Sequence, residues 1–232
     1  MNTGYGYQSS AVVYDPVEAR ARFISRTYNH LFGAIIAFAA IEFGLFASGL
    51  ADVILSAMAG VSWLLVLGLF MVASWVASRA AHTARSKVAQ YAALGGFVLA
   101  EAIIFLPLLA YAERYAPGVI SSAGITTMLG FAGLTAVAFV TRKDFSFLRG
   151  ILMWGGIAAM VLIASGILFG FQLGVFFSVA MVAFAGAAVL YDTSNVIHHF
   201  PEDRYVGAAL ELFASVALMF WYVIRIFLAT RD

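Results

Sequence analysis

Residues Leu148–Phe169 read LRGILMWGGIAAMVLIASGILF, and this stretch decides the class of fold. Arg149 is its only charged residue, and the stretch is as long as the roughly 20 apolar residues that a helix needs to cross a bilayer. Apolar residues fill consecutive positions, whereas a strand of a membrane barrel would carry them at every second position. The stretch therefore predicts a transmembrane helix.

The composition of the whole chain agrees with that prediction. Of its 232 residues, 63% are hydrophobic and 11% are charged, whereas a soluble domain is about half apolar and about a quarter charged. The absence of cysteine excludes a disulfide framework, a thiolate zinc site and a cysteine nucleophile. A net charge of +1 gives no electrostatic basis for binding nucleic acid. We therefore expect an integral membrane protein whose surroundings are the lipid bilayer.

Seven apolar segments are long enough to span the membrane, and together they predict an all-α, seven-helix transmembrane bundle. A polar N-terminal tail, residues 1–28, precedes the transmembrane domain, which is expected to occupy residues 29–232. If the fifth and sixth segments formed one re-entrant pair instead, the C-terminus would change sides. The expected spans are Leu31–Leu50, Val53–Val76, Gln90–Tyr111, Ser122–Val140, Leu148–Phe169, Leu173–Tyr191 and Val206–Ala229.

The distribution of lysine and arginine predicts the orientation of the bundle. With the N-terminus in the cytoplasm, the inner segments hold ten of these residues and the outer segments hold three. Positive residues accumulate on the cytoplasmic side of membrane proteins, so we expect a cytoplasmic N-terminus and a C-terminus on the outer side. The ten inner residues are Arg20, Arg22, Arg26, Arg79, Arg85, Lys87, Arg142, Lys143, Arg149 and Arg204.

The polar residues exclude several functions of membrane bundles. All four histidines lie at expected span ends or in loops, and both lysines lie in loops. This placement excludes a b-type haem, which needs histidines inside the bundle, and a retinal Schiff base, which needs a buried lysine. Serines within the spans have no histidine or lysine at their depth to act as a base. We therefore expect no enzymatic activity and no cofactor.

Two carboxylates are placed to meet at the cytoplasmic end of the last two spans. Asp192 ends the sixth span, and Glu211 lies about six residues into the seventh, at similar depth. Two carboxylates that share a site cannot both ionise cheaply, so the pair could hold a proton or bind a hard cation such as calcium. Arg79, at the end of the second span, is a possible partner for Asp192. The alternatives are acids that bond separately and an arginine that only anchors the cytoplasmic side.

Glu42 and Glu101 are the carboxylates expected near the middle of the membrane. Ionisable groups inside a span are costly and usually face the bundle interior or a water path. Both residues are expected either as buried hydrogen-bond donors or as steps in a proton path. A proton-coupled transporter that uses them is a third possible function, although the broken helices and repeats of that class are missing.

Several motifs resemble the transmembrane Bax inhibitor motif family. They are TRKDFSFL at Thr141–Leu148, LYDTSNVIH at Leu190–His198, RIF at Arg225–Phe227 and TRD at Thr230–Asp232. The resemblance covers most of the chain and is greatest to the bacterial YccA branch. It implies a seven-helix bundle with the last helix at its centre, located in the bacterial inner (plasma) membrane. The outer C-terminus expected from the charge distribution would then be periplasmic.

The resemblance also implies two activities. Some family members are pH-sensing calcium leak channels gated by acids on the sixth and seventh helices and by an arginine on the second. YccA-like members bind and restrain FtsH, a membrane-anchored AAA protease that can engage their N-terminal tail. Asp192 matches the sixth-helix acid, and Arg79 matches the arginine loosely. Ser215 stands where the seventh-helix acid belongs, and Glu211 lies one turn earlier on the same face. This departure favours an FtsH modulator over a cation channel.

Overall fold

A computed structural model of the chain describes residues 16–84 and 86–231. Seven of the helices in that part of the chain are long and apolar enough to cross a membrane, which confirms the expected number of spans. The chain is thus a multi-pass, all-α membrane protein. Its helices are α1 (Pro16–Ala47), the short α2 (Leu50–Met58), α3 (Trp63–Thr83), α4 (Lys87–Tyr115), α5 (Val119–Thr141), α6 (Leu148–Phe169), α7 (Val175–His198) and α8 (Tyr205–Ala229), with a 3-10 turn at Glu202–Arg204.

Helix α8 lies at the centre of the bundle, as the family resemblance implies. It packs against α1, α3, α4, α5 and α7. Its residues from Val206 to Leu210 are buried without interruption, so no side of its first turn faces lipid. A helix that is apolar all round is typical of such a buried position. In α3, by contrast, only Ala77 and Ala81 are buried, which places that helix at the periphery.

The second span differs from the predicted segment Val53–Val76. The chain forms α2 and α3 there, and only α3 is long enough to cross the membrane. Gly49 separates α1 from α2 with a φ of 76°, a left-handed conformation that glycine adopts without steric cost. A turn then separates α2 from α3, closed by the Val61 N–H, which donates to the Met58 carbonyl at 2.9 Å. The predicted boundary between Leu50 and Val53 lies close to the first break, but hydropathy does not detect the second, at residues 59–62.

Helix α1 begins at Pro16, well before the expected start of the first span at Leu31. Proline suits the first turn of a helix because the missing N–H has no partner there in any case. Phe23 and Thr27 are buried, so this part of the expected polar tail packs against the bundle. The rest of that tail, residues 1–15, lies outside the described residues.

The fifth and sixth spans are separate, as the seven-span prediction requires. Helices α6 and α7 are each long enough to cross the membrane, so the re-entrant alternative is wrong. Gly170 ends α6 with a φ of 74°, and its N–H donates to the Gly166 carbonyl at 2.9 Å. A left-handed glycine is the usual way to end a helix and reverse the chain.

One end of the bundle, the N-terminal face, holds the start of α1 and the connections that follow α3, α5 and α7. Side chains bridge these connections over long sequence distances: Arg20 donates to the Phe200 carbonyl at 2.7 Å, Arg204 donates to the Ala84 carbonyl at 2.6 Å, and Lys87 donates to the Asp203 carbonyl. The basic residues expected in the cytoplasm lie toward this face. Arg85, the remaining one of these residues, falls outside the described residues.

Candidate functional site

The candidate site is built around a buried carboxylate. Asp192 on α7 and Ser215 on α8 are each only 6% exposed. The Ser215 hydroxyl donates a hydrogen bond of 2.5 Å to Asp192 Oδ2. The two helices run antiparallel and share a short connection, so their close packing brings the two side chains to the same depth. Ser215, where the resemblance implies an acid, therefore serves as a hydrogen-bond donor to Asp192.

Glu211 lies one turn nearer the N-terminal face and has its own partners. Its Oε1 accepts a hydrogen bond of 2.9 Å from the Ser78 hydroxyl. The same oxygen lies 3.5 Å from His82 Nε2. Glu211 also interacts electrostatically with Asp192. Glu211 thus links α8 to α3, whereas Asp192 links α7 to α8, and the two acids form neighbouring contacts at one end of the bundle.

Sequence reasoning missed Ser78 and His82. These residues are four positions apart and therefore lie on one face of α3. The spacing of four indicates a shared face, but it does not show that this face of α3 packs against α8. It also does not show that Glu211 lies opposite that face. The contact depends on how α3 packs against α8.

Arg79 lies away from the carboxylates. It is exposed, and its guanidinium sits 5.5 Å from the centre of the Trp75 ring. Because Ser78 faces α8, the next residue along the helix points about 100° away from that direction. Among the described residues, the structure therefore does not bring Arg79 to Asp192. The arginine is placed as expected for an anchor at the edge of the membrane.

Two of the motifs that carry the family resemblance, Thr141–Leu148 and Leu190–His198, meet at the N-terminal face. The Phe145 N–H, from the connection after α5, donates a hydrogen bond of 2.9 Å to the Ser194 hydroxyl on α7. The Ser194 hydroxyl in turn lies 3.5 Å from the Lys143 carbonyl, to which it donates. Ser194 is fully buried, so these contacts fix the connection onto the end of α7 two residues after Asp192.

Asp144 shapes the same connection but does not cap α6. Its Oδ1 accepts a hydrogen bond of 2.8 Å from the Ser146 N–H, and its Oδ2 lies 3.4 Å from His199 Nε2. The residue at the cap position of α6 is Phe147, so Asp144 lies in the turn that precedes the helix. The bond from the Ser146 backbone, aided by the nearby His199, holds the pKa of Asp144 below its ordinary value of 3.8.

Glu42 and Glu101 are both buried, but they line different cavities. Glu101 faces an open cavity of about 630 Å³ lined by α3, α4, α6 and α8, which Ser74 and Arg225 also line. Glu42 faces an open cavity of about 540 Å³ lined by α1, α4, α5 and α8. The structure thus does not bring the two carboxylates together.

The carboxylates offer few ligands for a metal ion. Calcium takes six to eight oxygen ligands at roughly 2.3–2.6 Å. Within residues 16–84 and 86–231, no three histidine or acidic side chains gather into a metal-binding group. Asp192 and Glu211 are two such side chains, so calcium binding at this pair would depend on backbone oxygens or water. The proposed calcium site remains a prediction.

The chain is similar to known membrane proteins. The sequence model of the family described as "Inhibitor of apoptosis-promoting Bax1" matches residues 20–232. The Escherichia coli K12 protein named "Modulator of FtsH protease YccA" is 32% identical over 108 residues, which are 46% of this chain and 49% of YccA. An uncharacterised protein of Pseudomonas aeruginosa is 37% identical over 112 residues, which are 47% of this chain and 49% of that protein.

A viral protein extends the range of relatives. The "Golgi anti-apoptotic protein" of vaccinia virus strain Lister is 26% identical over 137 residues, which are 57% of this chain and 55% of the viral protein. The chain spans about half the length of the curated relatives it matches. The family model, however, matches nearly the whole chain, including both motifs that meet at the N-terminal face. The chain belongs to the Bax inhibitor family of membrane proteins.

Proposed function

We propose that the chain is a non-enzymatic protein of the bacterial inner membrane that modulates an FtsH-type membrane protease by binding it. The observation that carries the proposal is the similarity to the E. coli protein named as a modulator of FtsH, over nearly half of each chain. The serine at position 215 also supports it, because the acid pair of the family's leak channels is replaced by a donor–acceptor pair.

The proposed binding surface is the lipid-facing side of the peripheral helices. Helices α3 and α6 have few buried residues, so most of their length is open to a second membrane protein. Association between helices in lipid depends on close packing and on a few polar contacts rather than on the hydrophobic effect. The exposed sides of α3 and α6 could therefore bind a second membrane protein without any change in the fold of the bundle.

The proposed orientation places the N-terminal face in the cytoplasm, where an AAA protease domain would act. The concentration of lysine and arginine toward this face supports that orientation. Residues 1–15 precede α1 in the sequence, and we propose that they are the segment the protease engages. The orientation would be tested by labelling single cysteines introduced at Arg20 and Thr230, since the natural chain has no cysteine.

The test is co-purification with FtsH combined with the lifetime of the chain in cells. Deleting residues 2–15 leaves all of α1 in place, including the buried Phe23. We expect the deletion to lengthen the lifetime several-fold while the bundle still co-purifies with FtsH. A matched variant that replaces residues 2–15 by a glycine–serine segment of equal length separates the effect of sequence from that of length. An unchanged lifetime together with no co-purification would contradict the proposal.

A pH-sensitive calcium or cation leak is the second candidate function. It is favoured by the buried Asp192, which lies near a second acid, Glu211, in the interior of the bundle. The placement of Arg79 over Trp75 weighs against the gate that the resemblance implies. Calcium flux into proteoliposomes, scanned from about pH 5 to 8, tests it. Flux that is lost in Asp192→Asn would favour the channel, and no flux from folded protein would remove it.

A further inference from the structure

Glu42 is a buried carboxylate whose oxygens are both unbonded. It lies on α1, is 6% exposed, and neither Oε1 nor Oε2 has a hydrogen-bond partner among the described residues. Thr127 on α5 is 2% exposed and lines the same cavity, and its hydroxyl is also without a partner there. Buried polar groups are nearly always hydrogen-bonded in native proteins. Two unbonded groups in one cavity therefore indicate that a bound molecule supplies the missing partners.

The cavity has the size and the walls of a site for a small organic molecule. Its volume of about 540 Å³ lies within the range of roughly 300–1,000 Å³ that such sites have. Phe43 is 77% exposed, so the wall of the cavity reaches the lipid-facing surface near the end of α1. A molecule dissolved in the bilayer could therefore enter from the side. Five phenylalanines line the cavity: Phe38, Phe43, Phe46, Phe213 and Phe220.

The charges around the cavity select a cation. The described residues that line it include no lysine, arginine or histidine. Its second charged residue is Glu113, which is exposed in the last turns of α4 at the mouth of the cavity. Aromatic ring faces attract cations as well. An anion would face two carboxylates and several ring faces without any positive partner.

An organic cation fits better than a metal ion. Two carboxylates and one hydroxyl supply too few ligands for the six to eight oxygens that calcium takes. A bare ion would also leave the phenylalanine walls without a partner. An ammonium group carried on an apolar body would use both features, because its N–H groups bond the oxygens while its body packs against the rings.

We propose that this cavity, here called the Glu42 cavity, is a binding site for a lipophilic organic amine. The ammonium group donates hydrogen bonds to the Glu42 carboxylate and to the Thr127 hydroxyl. The apolar part of the ligand occupies the space among the phenylalanine rings. Glu113 at the mouth attracts the amine before it enters. The site lies apart from the Asp192–Ser215 contact, so the proposal stands independently of the proposed protease binding.

The experiment measures binding of a fluorescent primary amine, dansylcadaverine, to the full chain in lipid nanodiscs, with empty nanodiscs as the background. We expect saturable binding that Glu42→Gln weakens about tenfold or more, because the glutamine keeps the shape but loses the charge. Glu101→Gln is the matched control, since that carboxylate is equally buried but lines the other cavity, and it should change the affinity less than about twofold. N-pentyl dansylamide, which lacks the primary amine, should bind the wild type and Glu42→Gln equally weakly.

Two results would overturn the proposal. The first is equal affinity of the wild type and Glu42→Gln for dansylcadaverine, and the second is equal affinity of the wild type for the amine and for its uncharged analogue. Thr127→Val provides a second test that preserves side-chain shape, in case Glu42→Gln fails to give a normal unfolding curve. We expect it to weaken amine binding about threefold, as for one lost hydrogen bond. Unchanged binding in Thr127→Val would count against the site in the same way.

Discussion

The Ser215 hydroxyl lies 2.5 Å from Asp192 Oδ2 and gives this buried carboxylate a hydrogen-bond donor from the neighbouring helix. An acid at position 215 would offer no such donor in its ionised form and would repel Asp192. Ser215 therefore stabilises the contact between α7 and α8 at this position.

Removing that donor should destabilise the bundle. We expect Ser215→Ala to lower the free energy of unfolding by about 1–3 kcal/mol, because Asp192 would lose a partner in a buried setting. The measurement is thermal or denaturant unfolding of the purified chain in one detergent. Asp192→Asn should cost less, since the amide oxygen still accepts the hydrogen bond from Ser215.

Thr27→Val is the matched control for the loss of a buried hydroxyl. Thr27 is fully buried, and its hydroxyl has no partner among the described residues. Replacing it by the isosteric valine should leave the stability unchanged or raise it, because an unbonded polar atom is removed. If both variants changed stability equally, the Ser215–Asp192 bond would have no special contribution.

The meeting of α7 with α8 was predictable because it depends on chain connectivity. The short connection between these helices makes them antiparallel neighbours, so residues at matching depth such as Asp192 and Ser215 must come close. The family was predictable for a similar reason, since its motifs are local stretches of sequence, and the match over residues 20–232 confirms it. The number of spans followed from segment length alone.

The contacts of α3 were not predictable because they depend on its rotation about its own axis. That helix is apolar nearly all round, so hydropathy does not distinguish the face that carries Ser78 from the face that carries Arg79. The break between α2 and α3, at residues 59–62, was missed because hydropathy reports side-chain composition and the turn there is formed by small and apolar residues. The partnership of Glu211 with Ser78 and the separation of Arg79 from Asp192 both depend on the rotation of α3.

Stability should depend on pH through Asp144. The pKa of Asp144 is lower in the folded chain than its ordinary value of 3.8 because the Ser146 N–H bonds the carboxylate. A depressed pKa means that the ionised group favours the folded state. Its contribution is therefore complete above the ordinary, unfolded pKa of 3.8 and is lost as the pH falls through the lower, folded pKa.

The measurement for Asp144 is the unfolding temperature from about pH 3 to 7. We expect the wild type to lose more stability on acidification than Asp144→Asn, which carries no titrating group at this position. Asp52→Asn is the control, because Asp52 is another exposed acid, placed in the first turn of α2. Identical acid slopes for the wild type and Asp144→Asn would show that this carboxylate contributes nothing.

Arg142 holds a backbone conformation that arginine adopts at a cost. Among the described residues other than glycine, it alone has a positive φ, of 49°, and it ends α5 with its N–H donating to the Ala138 carbonyl at 2.9 Å. A left-handed conformation costs an ordinary residue roughly 1–2 kcal/mol, and a glycine at this position would avoid that cost. Glycine also has more conformational entropy in the unfolded chain, which reduces the gain in stability by about 0.4–1 kcal/mol. We expect Arg142→Gly to raise stability by up to about 1 kcal/mol.

Arg142→Val separates the backbone from the side chain in this experiment. Both variants remove the guanidinium, but a β-branched residue tolerates a positive φ least of all. Denaturant unfolding should therefore rank Arg142→Gly above the wild type and Arg142→Val below it. Equal loss in both variants would indicate that the guanidinium, and not the backbone, matters at this position.

Gly207 allows α3 and α8 to approach each other closely enough for the Ser78–Glu211 bond. A Cβ atom at this position would lie 3.1 Å from the Ala81 carbonyl oxygen, which belongs to the backbone and cannot rotate away. A valine there would force the two helices apart, at a cost of about 1–3 kcal/mol in the free energy of unfolding. The same displacement would lengthen the contact that joins Ser78 to Glu211.

The two effects of Gly207→Val can be measured together. Ser78→Ala should destabilise the wild type by about 0.5–1.5 kcal/mol but should cost much less in the Gly207→Val background, where the hydrogen bond is already weakened. Gly96→Ala is the control, because a Cβ there meets nothing within 4 Å and the extra methyl should raise helix stability. Fully additive losses for Gly207→Val and Ser78→Ala would show that the close approach of α3 to α8 does not hold the Glu211 contact in place.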